Sequence, residues 1–89
     1  MKKIEMTPVF VKNWKALHKK HYDKSKLDKV IELLANEENL PGKYKDHSLS
    51  GNWKGFRECH IQDNWLLIYL CDETRLVLTA TGTHDDLFK

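Results

Sequence analysis

The sequence predicts an α+β fold of order β-α-α-β-β-β with a short C-terminal turn. In it, an antiparallel two-helix hairpin packs on one face of an antiparallel sheet. Three observations carry that expectation. Apolar residues recur at three- and four-residue spacing through the first half, the period changes to two after Gly42, and Asp/Asn turn signals punctuate the second half. A chain of 89 residues is read as one domain, 1–89, with one small core.

Lys2 to Met6 alternate, with Ile4 and Met6 on one side, and suit a short first strand. Thr7-Pro8 reads as an N-cap followed by proline at the first helical position, where its missing N–H costs nothing. Phe10, Trp14, Leu17 and His21 then form one apolar stripe flanked by Lys12, Lys15, Lys19 and Lys20. The polar break HYDKS separates this helix from a second one, in which Leu27, Val30, Ile31 and Leu34 repeat the pattern until Leu40-Pro41-Gly42 ends it. So short a connection implies a hairpin.

Lys54 to Ile61 alternates, placing Phe56, Glu58 and His60 on one face and Gly55, Arg57, Cys59 and Ile61 on the other. Asp63-Asn64 is a turn signal, and Trp65 to Cys71, apolar on both faces, is expected to be central. A second turn, Asp72-Glu73-Thr74, leads into a last strand, Arg75 to Thr81. That segment from Trp65 to Cys71 is too short to span a bilayer, and MKKIEMTP lacks the apolar stretch of a signal peptide. The expected compartment is the cytoplasm, with no membrane partner.

Cys59 and Cys71 form no metal-ligand or CxxC spacing and are read as free thiols. Residues 1–45 carry eleven Lys/Arg against six Asp/Glu, whereas residues 46–89 carry four against seven. A basic half suits phosphates or an acidic partner, although a lysine-rich surface is more commonly a solvated face.

The five histidines divide by position. His18 and His21 belong to the first helix and are read as surface residues. His47, His60 and His84 sit before the meander, in its first strand and just beyond its last, so strand ends can bring them to the open face. Glu58 shares His60's face, and Asp63, Asp85 and Asp86 are near in sequence. Their spacing lacks any paired ligand motif, so no metal and no cofactor is assigned. Metal-free acid/base catalysis fits better, because one imidazole can take a proton while another gives one. RNA cleavage needs a base on the 2′-hydroxyl, an acid on the leaving 5′-oxygen and cations for the phosphate charge.

Residues 44–60, YKDHSLSGNWKGFRECH, with WLLIY at 65–69 and TGTHDDLF at 81–88, resemble the YafQ branch of the RelE/ParE-type toxins of bacterial type II toxin–antitoxin systems. The resemblance implies a RelE-like fold and a ribosome-dependent mRNA endoribonuclease (mRNA interferase) that acts on mRNA in the ribosomal A site. It implies silencing by a cognate antitoxin in a hetero-oligomeric complex. His47, His60 and His84 match the family's active-site positions, with His84 as general acid and His47 or His60 as base or transition-state stabiliser. Phe88 matches the terminal phenylalanine and Trp65 the tryptophan opening the central strand.

Two positions depart from the family pattern. Asn64 stands where an aspartate precedes the tryptophan, with Asp63 one residue earlier, and the region of Ala80 lacks the family's arginine. Phosphate charge then needs another cation. Lys54, by its parity with Glu58 and His60, is the first candidate, and Lys45 the next; Arg57, which points to the other face by simple alternation, is expected with Phe88, Trp65 and Asp63 to complete the RNA contacts. A non-catalytic, ParE-like toxin or binding module acting on gyrase or another protein is the alternative. Trp53 and Phe56 are expected in the core.

Overall fold

The computed structural model describes residues 1–88. Strand β1 (Lys3–Met6) runs into helix α1 (Pro8–Lys19), whose N-cap is Thr7. The Thr7 hydroxyl accepts from Phe10 N–H at 3.0 Å and donates to the Thr79 carbonyl at 2.7 Å, so the cap also ties the helix start to the last strand. Helix α2 (Lys24–Ala35) is capped by Asp23, which accepts from Ser25 N–H at 2.9 Å. The chain leaves both helices through left-handed residues, His21 at φ 67° and Glu37 at φ 60°.

After a 3-10 turn at Gly42–Tyr44 come β2 (His47–Ser48), a second 3-10 turn at Gly51–Trp53, β3 (Arg57–Gln62), β4 (Trp65–Cys71), β5 (Arg75–Gly82) and the short helix α3 (His84–Leu87). The sheet order is β1-β5-β4-β3-β2. Neighbours in the β2–β5 part are antiparallel, whereas β1 pairs with β5 in parallel, which makes the sheet mixed. The expected antiparallel sheet therefore holds for the meander alone. Alternation specifies a strand, but says nothing of its direction beside a partner seventy residues away. The two-residue β2 was too short to show a period.

Both helices lie on one face. Phe10, Leu17, Leu27, Val30 and Leu34 meet Cys59, Ile61, Trp65, Leu67, Tyr69, Leu76 and Leu78 in one core cluster. Trp65 stacks on Trp14 (centroids 6.1 Å apart) and receives the edge of Tyr22 at 5.0 Å. The intervening residues Leu66, Ile68 and Ala80 are buried too, on the opposite face. There Phe56 keeps the parity of Glu58, because Leu49 N–H donates to its carbonyl and extends the β2–β3 ladder. Trp53 and Phe56, expected in the core, are instead half-buried outside it: Trp53 packs edge-on against Phe56 at 5.5 Å and against Phe88 at 6.1 Å, giving the face away from the helices an aromatic cover. Among the described residues no helix is long and apolar enough to cross a membrane.

Candidate active site

Strand register builds two adjacent rows on the face away from α1 and α2. One runs His47–Glu58–Ile68–Ala80 across β2, β3, β4 and β5; the next runs His60–Leu66–Gly82. The apolar members form a dry floor, and the polar ones gather at the β2–β3 side. Glu58 Oε1 lies 3.4 Å from His47 Nε2 and 3.7 Å from His60 Nε2. Side-chain exposure rises from 5% for Glu58 through 25% for His60 to 49% for His47. A buried carboxylate thus sits beneath two imidazoles that reach solvent.

The other ring nitrogens fix the proton arrangement. His47 Nδ1 is 2.6 Å from the Lys45 carbonyl, and His60 Nδ1 is 3.1 Å from the Asp63 carbonyl. A carbonyl only accepts, so each Nδ1 carries hydrogen and each Nε2 faces the carboxylate. A neutral ring there sets one acceptor against another. A ring that takes a second proton donates it toward Glu58, so the arrangement suits a base whose cationic product is steadied at once.

His84 opens α3 at the same end of the sheet, two residues beyond Gly82. Thr83 and Asp86 form a capping box: Thr83 Oγ1 accepts from Asp86 N–H at 3.2 Å, and the Asp86 carboxylate accepts from Thr83 N–H at 3.1 Å. A Cβ on Gly82 would meet the Asp86 side chain at 3.2 Å, so the box closes tightly only with glycine there. His84 N–H donates to Asn64 Oδ1 at 3.1 Å, and its ring lies 5.0 Å from that of Phe88. The final TGTHDDLF motif therefore presents an exposed histidine backed by an aromatic. Among the described residues His84 makes no ion pair with the Glu58 cluster.

The remaining expected site residues separate. Phe88 is half-buried beside His84, and Asp63 contributes its carbonyl while its side chain stays exposed. Lys45, left-handed at φ 49°, likewise serves His47 through its carbonyl. Two expected RNA contacts do not fit. Trp65 is buried in the helix-side core, its Nε1–H donating to Thr81 Oγ1 at 3.0 Å. Arg57 lies on the helix-facing side and holds Asp46 at 3.0 Å. Lys54 loses the parity that selected it, because β3 begins only at Arg57 and Gly55, at φ +95°, interrupts the alternation; its side chain is exposed.

Sequence reasoning missed two positioning residues. Asn64, noted only as a departure, holds the main chain of His84. Asp46 accepts from Tyr69 Oη at 2.5 Å as well as from Arg57, tying the segment before His47 to the central strand. Burial, then the Asp46 hydrogen bond, pushes the Tyr69 phenol up from its ordinary value, and Asp46 raises Arg57 in turn. Burial also pushes the Cys59 thiol up, which makes it an inert core group. Among the described residues no group of three or more His, Cys, Asp and Glu side chains is arranged to hold a metal ion.

A small α+β domain with two histidines over a buried carboxylate, and a third on a capped terminal helix, has the makings of an acid/base site. Residues 2–89 match the family model for YafQ, the bacterial toxin of type II toxin–antitoxin systems. The chain belongs to that family. It is 42% identical over 86 residues to the mRNA interferase toxin YafQ of Escherichia coli K12, covering 96% of this chain and 94% of that one. Among solved structures, a copper-bound mutant toxin from Helicobacter pylori superposes with a TM-score of 0.95 at 39% identity, covering 99% of this chain and all of that one. YafQ in the E. coli DinJ–YafQ complex superposes with a TM-score of 0.93 at 40% identity, over the full length of both.

Proposed function

We propose that this toxin is a ribosome-dependent mRNA endoribonuclease, acting in the ribosomal A site and using side-chain acid/base chemistry with no metal in the step. The observation that carries the reading is the His47–Glu58–His60 cluster, with the capped His84 at the same end of the sheet. His47 or His60 takes the proton from the ribose 2′-hydroxyl at Nε2, and Glu58 steadies the imidazolium. The 2′-oxygen attacks phosphorus, and His84 gives its proton to the leaving 5′-oxygen, leaving a 2′,3′-cyclic phosphate and a 5′-hydroxyl. Phe88 stacks against His84 or a base, and Lys45 and Lys54 are the nearest candidates for phosphate charge in sequence. The E. coli relative YafQ is named an mRNA interferase and is captured in a complex with its antitoxin DinJ. The complex supports a cognate antitoxin and a hetero-oligomeric resting state, and action on mRNA fits a cytoplasmic site.

Primer extension on a defined mRNA, with and without programmed ribosomes, tests the reading. Cuts at A-site codons that need both the ribosome and His84 are expected; equal cleavage by His84→Ala would overturn the assignment. A second reading has one observation in its favour. Ala80 occupies the row of His47 and Glu58 without supplying a cation, as suits a ParE-like toxin that binds gyrase or another protein. Growth arrest with intact transcripts and an induced DNA-damage response would mark that case.

A further inference from the structure

Beside His60 the outer edge of β3 is free of a strand partner, because β2 pairs only with Arg57 and Glu58. A cleft of about 430 Å³ opens there between α2 and the 3-10 turn at Gly42–Tyr44. Its walls carry four lysines, Lys26 and Lys29 from α2 and Lys43 and Lys45 from the turn, against one carboxylate, Asp63, and His60 closes one side. The volume is that of a small-ligand site.

Lysines unpaired among the described residues also line a groove along α1, with Lys12, Lys15, Lys19 and Lys20, so what sets this cleft apart is that its lysines share a wall with His60. Both arginines are committed, Arg57 to Asp46 and Arg75 to Asp72 and Glu5, and Lys2 and Lys24 hold Glu37 and Asp28. None of the four cleft lysines holds a carboxylate in an ion pair among the described residues. Lys43 rests over the Tyr44 ring at 5.2 Å, and Lys26 acts on Asp23 only through its field. Four like charges converging on one concave surface repel each other unless an anion joins them. His60 belongs at once to this wall and to the Glu58 cluster, so an anion chain lying in the cleft ends at the acid/base site.

We propose that the cleft is a subsite for the mRNA sugar-phosphate backbone, holding the phosphates that flank the scissile one and supplying the cationic charge that the Ala80 row lacks. The proposal rests on the nuclease reading. Phosphate contacts of this kind fix register and are sequence-independent, so they orient the strand and leave codon choice to other groups. Lysine suits the task because each ammonium is a flexible point charge that follows a backbone.

The test is fluorescence anisotropy with a 2′-O-methyl RNA hexamer, which binds but has no 2′-hydroxyl to react. Lys26→Gln/Lys29→Gln and, separately, Lys43→Gln/Lys45→Gln are expected to weaken binding about tenfold at low salt. Each should flatten the log–log salt dependence by about 0.7 per lysine removed. Lys12→Gln/Lys15→Gln, the same charge loss on α1, is expected to leave that slope unchanged. Equal effects from all three pairs, or none from the cleft pairs, would overturn the subsite. Sedimentation with vacant ribosomes separates the other source of phosphate: cleft variants that bind the hexamer normally but lose vacant ribosomes would assign the cleft to ribosomal RNA and refute an mRNA subsite. Failure of the nuclease reading shows differently, as wild-type protein that cuts no transcript.

Discussion

The two faces of one sheet are built from the same strands and do opposite work. On β3, Cys59 and Ile61 enter the core while Glu58 and His60, one residue out of step, form the polar cluster. On β4 both sets are apolar: Trp65, Leu67 and Tyr69 meet the helices, and Leu66 and Ile68 form the floor beneath the histidines. The helix-covered face carries the larger core, while the other face buries Leu66, Ile68 and Ala80 beneath its aromatic and polar residues. The polar cluster is thus carried on strands whose alternate residues are fixed in the core.

That contrast is broken first at its strongest point. Leu67→Ala, at a fully buried core position, is expected to cost about 2–5 kcal/mol by urea unfolding. His60→Ala, in the neighbouring row and partly exposed, should leave the urea midpoint nearly in place while single-turnover cleavage falls by about a hundredfold or more. A His60→Ala variant that unfolds as readily as Leu67→Ala would erase the distinction between the faces.

Asp46→Asn probes the tie between them. The charge-assisted bonds it weakens are partly solvent-screened, so a loss of about 1 kcal/mol is expected. Tyr69 is held protonated in the folded state above its ordinary range, so its contribution is intact below about pH 10 and is lost as pH rises beyond it. In Asp46→Asn the phenol, followed by absorbance, should ionise at lower pH, though still above an exposed tyrosine because burial persists. Asn64→Ala removes one acceptor from the His84 main chain and is expected to slow cleavage by several-fold, about 1 kcal/mol, without altering global stability.

The smallest effect lies at the far turn. Backbone hydrogen bonds from Thr74 and Arg75, then the Arg75 guanidinium, hold the Asp72 carboxyl down at about 2. Its stabilisation is therefore present above pH 3.8 and lost as pH falls toward 2. Asp72→Asn should flatten only that acid limb, as read from thermal midpoints between pH 4 and 2.

The helices and the meander were legible from their periods: the Phe10–Trp14–Leu17 stripe and the alternation of Phe56, Glu58 and His60 appear in the structure, although His21, read as the end of that stripe, lies beyond α1 in a left-handed turn. Glu58 and His60 were legible as a pair by parity, whereas His47 was read only as near a strand end, and its pairing with Glu58 lies in a strand of two residues. What stayed hidden depends on pairings remote in sequence. The parallel partner of β1, the reach of Asn64 to His84 across twenty residues and the bridge from Asp46 to Tyr69 leave no local pattern. Lys54 was misplaced for a local reason, since one glycine at positive φ resets the alternation that parity arguments assume. Trp65 shows the converse hazard, a residue that matches a family motif and serves as core.

The most direct test of the central claim, that the buried carboxylate and its two imidazoles act as one unit, is a cycle of single-turnover cleavage rates on programmed ribosomes. It compares Glu58→Gln, His60→Asn and the double variant. The double variant is expected to be about as slow as the slower single one, because each change disables the same proton transfer. Rates that fall by the product of the two single losses would contradict it, and would separate Glu58 from the chemistry of His60.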